Sequence, residues 1–217
     1  MRGRRLGRRE ALLGLSSAWL CTRAADAEDC PAERLEMNLV DIAAARASVT
    51  TLTGPFVQER RIGLLSAKVR STGILTLVRP DSLRWELLPP DEAVYWVVPE
   101  GLAYQNRTGR GRVPGVGDKI AGILQDTRII LGGDLGHLRA RYSLRGLCSD
   151  NHTVVFEAVP RPGQATAAAK IIFSLESDLV SPRNVLIVEG PRDQTELTFG
   201  PMQKNTPVDP RKMRAPL

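Results

Sequence analysis

The sequence predicts an α+β protein, an antiparallel β-meander preceded by one helix and interrupted by another. Three observations predict it. Segments rich in alternating apolar residues recur at roughly 8–12-residue spacing, with Gly, Pro, Asn or Asp turns between them, as in neighbouring antiparallel strands. Ahead of them Leu35, Leu39, Ile42 and Val49 repeat at helical spacing. Inside them the period changes to about 3.6 between Asp118 and Leu131, where Ile120, Ile123, Leu124, Thr127 and Ile130 share one face.

The chain begins with a segment that reads as an export signal. Arg2 to Arg9 is a positive n-region, Ala11 to Cys21 a short apolar run, and Ala25-Asp26-Ala27 a small-x-small cleavage site. The run is far shorter than the roughly 20 residues that span a bilayer. Arg8-Arg9 suits a twin-arginine signal, although Ala11 stands where a large apolar residue is usual, so the twin-arginine and general secretory routes both stay open. Six arginines and two acids place +4 of the net +6 in residues 1–27, leaving +2 for the rest, which removes the main support for a nucleic-acid-binding role. Cleavage after Ala27 would leave a single domain over residues 28–217 with two cysteines, Cys30 and Cys148. In an oxidising compartment these two form a bridge or remain as two thiols.

Glu33 to Ser48 reads as a helix, supported by the Ala43-Ala44-Ala45 run, with Arg46 placed off its apolar face. Gly54-Pro55 breaks the pattern, and Phe56 to Ile62 reads as a strand. Ser71 to Arg79 and Leu83 to Leu88 are strands joined by a Pro-Asp turn and ended by Pro89-Pro90. Leu75, Leu77 and Arg79 share one side of the first, and Leu83, Trp85 and Leu87 one side of the second. Facing the same way, they form an apolar surface with one arginine at its rim, where a cation needs a partner or water. The helix over 118–131, with Asp118 as its cap and Gly132-Gly133 as its end, is the expected partner. Ala93 to Val98 and Leu102 to Arg107 are short strands, and Gly109 to Gly117 is a Gly- and Arg-rich loop without a phosphate-binding motif. A second short turn over Asp134 to Leu138 is an expected extension of the 118–131 helix. Five strands complete the chain, over 139–147, 152–159, 167–175, 183–189 and 195–199, before an irregular Pro-rich tail.

No catalytic or metal-binding constellation emerges. His137 and His152 have no Ser or Cys in a nucleophile setting nearby, there is no G-x-S-x-G, and the cysteines and histidines match no metal-ligand spacing. A binding surface without a cofactor is the expectation.

The order of short motifs carries a resemblance. Phe56 and Gln58, then Gly73 through Arg79-Pro80, Leu83, Trp85-Glu86, Pro90-Asp91-Glu92, and finally Asp193, Thr195, Phe199, Asn205 and Asp209 resemble the periplasmic outer-membrane lipoprotein carrier family, LolA. The resemblance implies a strongly curved antiparallel sheet, an incomplete open barrel, whose concave face is covered by helices that open to admit acyl chains. It implies that Arg79 holds the lid closed, and that Phe56, Leu75, Leu77, Leu83, Trp85 and Leu87 line a lipid cavity beneath Ile120, Ile123 and Leu124. It further implies a monomeric, non-enzymatic periplasmic carrier taking lipoproteins from an inner-membrane transporter to an outer-membrane acceptor. The tail after Asp209 lacks the family's usual final strand, and Gly109 to Asp118 is unusually rich in Gly and Arg. An accessory of glycolipid or polyene-pigment export, or an envelope protein with a purely structural or protein-binding surface, therefore stand as alternatives.

Overall fold

The fold is that of a computed structural model and is described for residues 29–63, 68–98, 101–113, 119–132, 135–148 and 153–215. The export signal and its cleavage site, the Asp118 cap, the side chain of Ile120 and His152 lie outside the described residues.

Helix α1 (Ala32–Ala47) precedes β1 (Thr51–Arg61), and a meander follows: β2 (Lys68–Val78), β3 (Ser82–Leu87), β4 (Ala93–Val98), β5 (Gly101–Asn106) and β6 (Gly109–Val113). Helices α2 (Lys119–Gly132) and α3 (Leu135–Arg141) interrupt it. A second meander comprises β7 (Tyr142–Leu147), β8 (Val154–Pro160), β9 (Lys170–Leu175), β10 (Pro182–Val188) and β11 (Gln194–Phe199), followed by β12 (Gln203–Lys204) and α4 (Pro210–Met213).

All the strands belong to one antiparallel sheet in the order β6-β5-β4-β3-β2-β1-β11-β10-β9-β8-β7, with β12 added to β1. Each meander pairs in sequence, and the two meanders join where β1 pairs with β11, with Phe56 opposite Phe199. The sheet does not close, because β6 and β7, its two ends, are not neighbours. The chain passes from one end to the other through α2 and α3, so these helices must bridge the open side. The expected α+β architecture, an open curved sheet with inserted helices, is the one observed.

Register fixes which side chains share the inner face. One row runs Leu52, Leu77, Leu83, Val97 and Leu102 across five strands. Another runs Leu197, Val185, Phe173 and Phe156 across the second meander. All are buried. Aromatic rings fill the middle: Phe56 lies 4.1 Å from Trp85 between ring centroids, and Phe156 stacks on Phe173 at 5.0 Å.

Four local expectations are corrected. Strand β1 runs straight through Gly54-Pro55. The Pro55 carbonyl accepts from Gly200 N–H at 2.9 Å, so its missing donor points to the gap between β11 and β12, where no ladder bond is lost. A Cβ on Gly54 would collide with the Met202 sulfur, which occupies that space. The Gly- and Arg-rich segment supplies β6, since Gly111 packs against the Tyr104 ring and its neighbours pair with β5. Residues 135–141 are helical, and the next strand starts only at Tyr142. Finally, the tail contributes α4, capped by Asp209, and its Lys212 carbonyl accepts from the Trp96 indole at 2.8 Å.

Candidate functional site

Alternation along β2 and β3 places Leu75, Leu77, Leu83 and Trp85 side by side on the concave face, each at most 3% exposed, with the half-buried Leu87 at one end. Phe56 joins them from β1. A Cβ at Gly73 would strike its ring, so the glycine gives Phe56 room against Trp85. On α2 Ile123 and Leu124 cover Trp85, Leu87 and Tyr95. The structure thus brings together the predicted lining residues whose side chains it describes. His137 is an exposed residue of α3.

Polar ties hold the helices over this face. The Arg79 guanidinium donates to the carbonyl of Arg46, at the end of α1. Its acceptor is on α1 and not on α2, because Arg79 lies one residue past β2, where its own N–H is held at 2.9 Å by the Thr50 carbonyl beside the end of α1. Arg46 itself makes the reach to α2, its Nη2 donating to the Ile130 carbonyl at 2.8 Å. Ile130 belongs to the last turn of α2, whose carbonyls have no intrahelical partner, so Arg46 caps one helix from another. Arg46 is buried, contrary to its placement off the apolar face. It continues the Leu35, Leu39, Ile42 series at the next helical step, which is the signal that could have found it. Burial foremost, and then the Arg79 charge, push its pKa down to about 10.

Two further ties fall on the second half of α2. Arg128 donates to the Asp81 carbonyl in the β2–β3 turn at 2.7 Å. The buried Asp126 accepts from the Tyr142 hydroxyl at 2.6 Å and pairs with Arg141. At the other side of the fold α1 is clamped to α3 by a two-bond Arg139–Glu36 pair. Its start is fastened to β7 by the Cys30–Cys148 disulfide, with Cα atoms 5.1 Å apart and Cys30 N–H donating to the Gly146 carbonyl.

Beneath Ile123 and Leu124 a cavity of 110 Å³ remains, walled by Trp85, Leu87 and Tyr95. It is smaller than an apolar cavity of about 150 Å³ that just accepts benzene. The far end of the cavity is polar. Gln58 and Arg60 continue the inward-facing series of β1, and Thr195 and Glu189 face them. The Glu189 side chain is 1% exposed, accepts from Thr195 Oγ1 at 3.0 Å and lies 3.7 Å from Arg60. Burial raises the Tyr95 phenol pKa, against the opposing pull of Arg60. A second hollow of 280 Å³ opens between α1 and α3, with Arg46 and Arg79 among its walls. Among the described residues no cluster of three metal-ligating side chains occurs, and no helix is long and apolar enough to cross a membrane.

No family profile matches the sequence, and neither does any curated protein. Solved structures do match. An uncharacterised conserved protein from Thermus thermophilus superposes with a TM-score of 0.51 at 8% identity, over 84% of this chain and 94% of the other. A DUF1329 family protein from Desulfovibrio piger gives 0.50 at 9% identity, over 82% and 96%. A LolA superfamily protein from Nitrosomonas europaea gives 0.46 at 8% identity, again over 82% and 96%. Identities this low speak for the fold alone. That fold is an open curved sheet with helices across its concave side.

Proposed function

We propose that this chain is a non-enzymatic, monomeric carrier of acyl chains, exported to the periplasm and cleaved after Ala27. The observation that carries the reading is an apolar concave face under helices held by a few arginine–carbonyl bonds, with only 110 Å³ left free in the cavity beneath α2. A lid over a filled core needs no such small, polar-ended void. A carrier needs a face that stays dry when empty and opens when loaded.

The mechanism is exchange of one set of contacts for another. Opening α2 breaks the bond from Arg46 to Ile130, worth roughly 1.5–3 kcal/mol for a charged donor. Each methylene that replaces the lid on Phe56, Leu75 and Trp85 returns ~0.8 kcal/mol. A few methylenes offset the opening, and the bonds that re-form on closure drive release. Cargo would pass from an inner-membrane transporter to an outer-membrane acceptor. A lipoprotein is the first candidate, and the acyl lipid of another export system is the second, favoured by the polar end of the cavity. Native mass spectrometry of the exported protein tests the reading. Lipid adducts that vanish on delipidation are expected. Protein that purifies empty, and takes up no fatty acid on incubation, would leave the purely structural role in its place.

A further inference from the structure

We infer that the outer face at the β6 end of the sheet, carrying Arg110, Arg112, Lys212 and Arg214, docks on an anionic phospholipid bilayer. The choice of a bilayer rests on the carrier reading, whose own test is separate.

Register gathers these cations. Val97 and Leu102 belong to the inner row, so their chain neighbours Trp96 and Ala103 face outward. Arg112 lies opposite Ala103, Ala103 opposite Trp96, and Trp96 opposite Arg84, while Arg110 lies opposite Gln105 in the next outer row. The tail returns across this face, where the Lys212 carbonyl accepts from the Trp96 indole. Helix α4 therefore sits over β4, two strands and about 10 Å from β6. Arg110, Arg112, Arg211, Lys212 and Arg214 are all exposed.

The charge is in excess here. Among the described residues bordering this face, Glu86 pairs with Arg84, Glu92 with Arg107 and Asp209 with Arg211. Asp91 also acts on Arg107, and Lys212 on Asp209. Arg110, Arg112, Lys212 and Arg214 stand outside these ion pairs. Four such cations exceed the net +2 of residues 28–217, so the rest of that domain is net acidic. At the β7 end, by contrast, Arg139, Arg141 and Arg145 are in ion pairs and Arg161 donates to the Arg139 carbonyl. The excess thus lies at one end, beside the open side of the sheet, and α2 begins shortly after β6. A carrier held there presents its lid helix to the bilayer. Cations spread over several strands match a distributed negative surface better than one anionic group. Trp96 is 6% exposed and Tyr104 faces inward opposite Tyr95, so neither ring is open for nucleic-acid bases to stack on.

The test is flotation of the exported, disulfide-bonded protein with vesicles of phosphatidylcholine alone, or of phosphatidylcholine with one-third phosphatidylglycerol. Binding to the anionic vesicles only is expected, and high salt should abolish it. A cation near an anionic bilayer is worth about fivefold in affinity, so Arg110→Gln with Arg112→Gln should weaken binding about 25-fold. Lys212→Gln with Arg214→Gln should do the same, and decides if the first pair fails to fold by circular dichroism. Arg34→Gln with Arg192→Gln, exposed cations on α1 and in the β10–β11 turn, should leave binding unchanged. Equal binding to both vesicle types, binding to neither, or an equal loss in the Arg34 and Arg192 pair overturns the docking face. Poly-glutamate or single-stranded DNA bound more tightly than the anionic vesicles assigns the face to that polyanion and overturns the bilayer. Failed flotation with lipid adducts still present overturns the face and leaves the carrier reading standing. Anionic-vesicle binding by a protein that never holds lipid upholds the face and overturns the carrier.

Discussion

Gly132→Ala should loosen the lid without unfolding the sheet. Gly132 ends α2 and lies directly on Leu77. A Cβ there would overlap Leu77 Cδ2 and sit 3.0 Å from its Cγ. Ordinary contact needs about 4 Å, so the helix or the end of the Leu77 side chain must shift by about 2 Å. Leu77 is buried in the row between Leu52 and Leu83 and cannot yield freely. An added methyl in packing of this kind costs about 1–3 kcal/mol. Alanine's higher helix propensity returns about 1 kcal/mol. The remaining penalty of about 0–2 kcal/mol falls on closure of α2, which raises its opening constant up to roughly 30-fold. Hydrogen exchange would show faster exchange over 127–131 with little change in β2 and β9, and a fluorescent fatty acid would enter faster. Adding Leu77→Ala should restore closure by emptying the space. Uniformly faster exchange across α2 and the sheet, with a lowered melting temperature and unchanged uptake, would refute the reasoning, because α2 would then be part of one static core.

Three other outcomes are expected. Arg79→Leu should lower stability by only about 1 kcal/mol, since Val49 N–H still reaches the Arg46 carbonyl at 3.1 Å. It should slow lipid release about fivefold through loss of a bond worth ~1 kcal/mol net. Equal release rates from loaded, folded proteins would remove Arg79 from the mechanism. Replacing both Cys30 and Cys148 by Ser opens a link across 118 residues and should lower unfolding free energy by about 2–4 kcal/mol, measured by denaturant titration with and without reductant. Asp178 tests the pH dependence. Burial pulls its pKa up, but bonds from Ser181, Val180 and Lys204 outweigh this and leave it at about 2. A folded value below the unfolded one means stability complete above about pH 4 and lost as pH falls through about 2. Asp178→Asn should lower stability at neutral pH by about 1–2 kcal/mol, discounted for solvent screening of a partly exposed group, and flatten the denaturation midpoint over that acid range.

The sequence by itself determined the meanders, because side chains alternate with period two and an apolar set such as Leu83, Trp85 and Leu87 can face only one way. It likewise determined the helical interruption, where the period changes between Lys119 and Gly132. It left β6 unread, since Gly-Arg-Gly-Arg-Val has no apolar alternation and becomes a strand only by pairing with β5. It read α3 only as a short extension of the helix and began the next strand at 139, because a seven-residue helix is too short to show a period. Only the tertiary structure decided the site. Arg46 and Ile130 are 84 residues apart in sequence, and Arg60 meets Glu189 only because β1 pairs with β11 and β11 with β10. Such pairings are invisible to local periodicity. A lone arginine looks like a solvated side chain until the fold withdraws water from it and offers a carbonyl or a carboxylate in exchange.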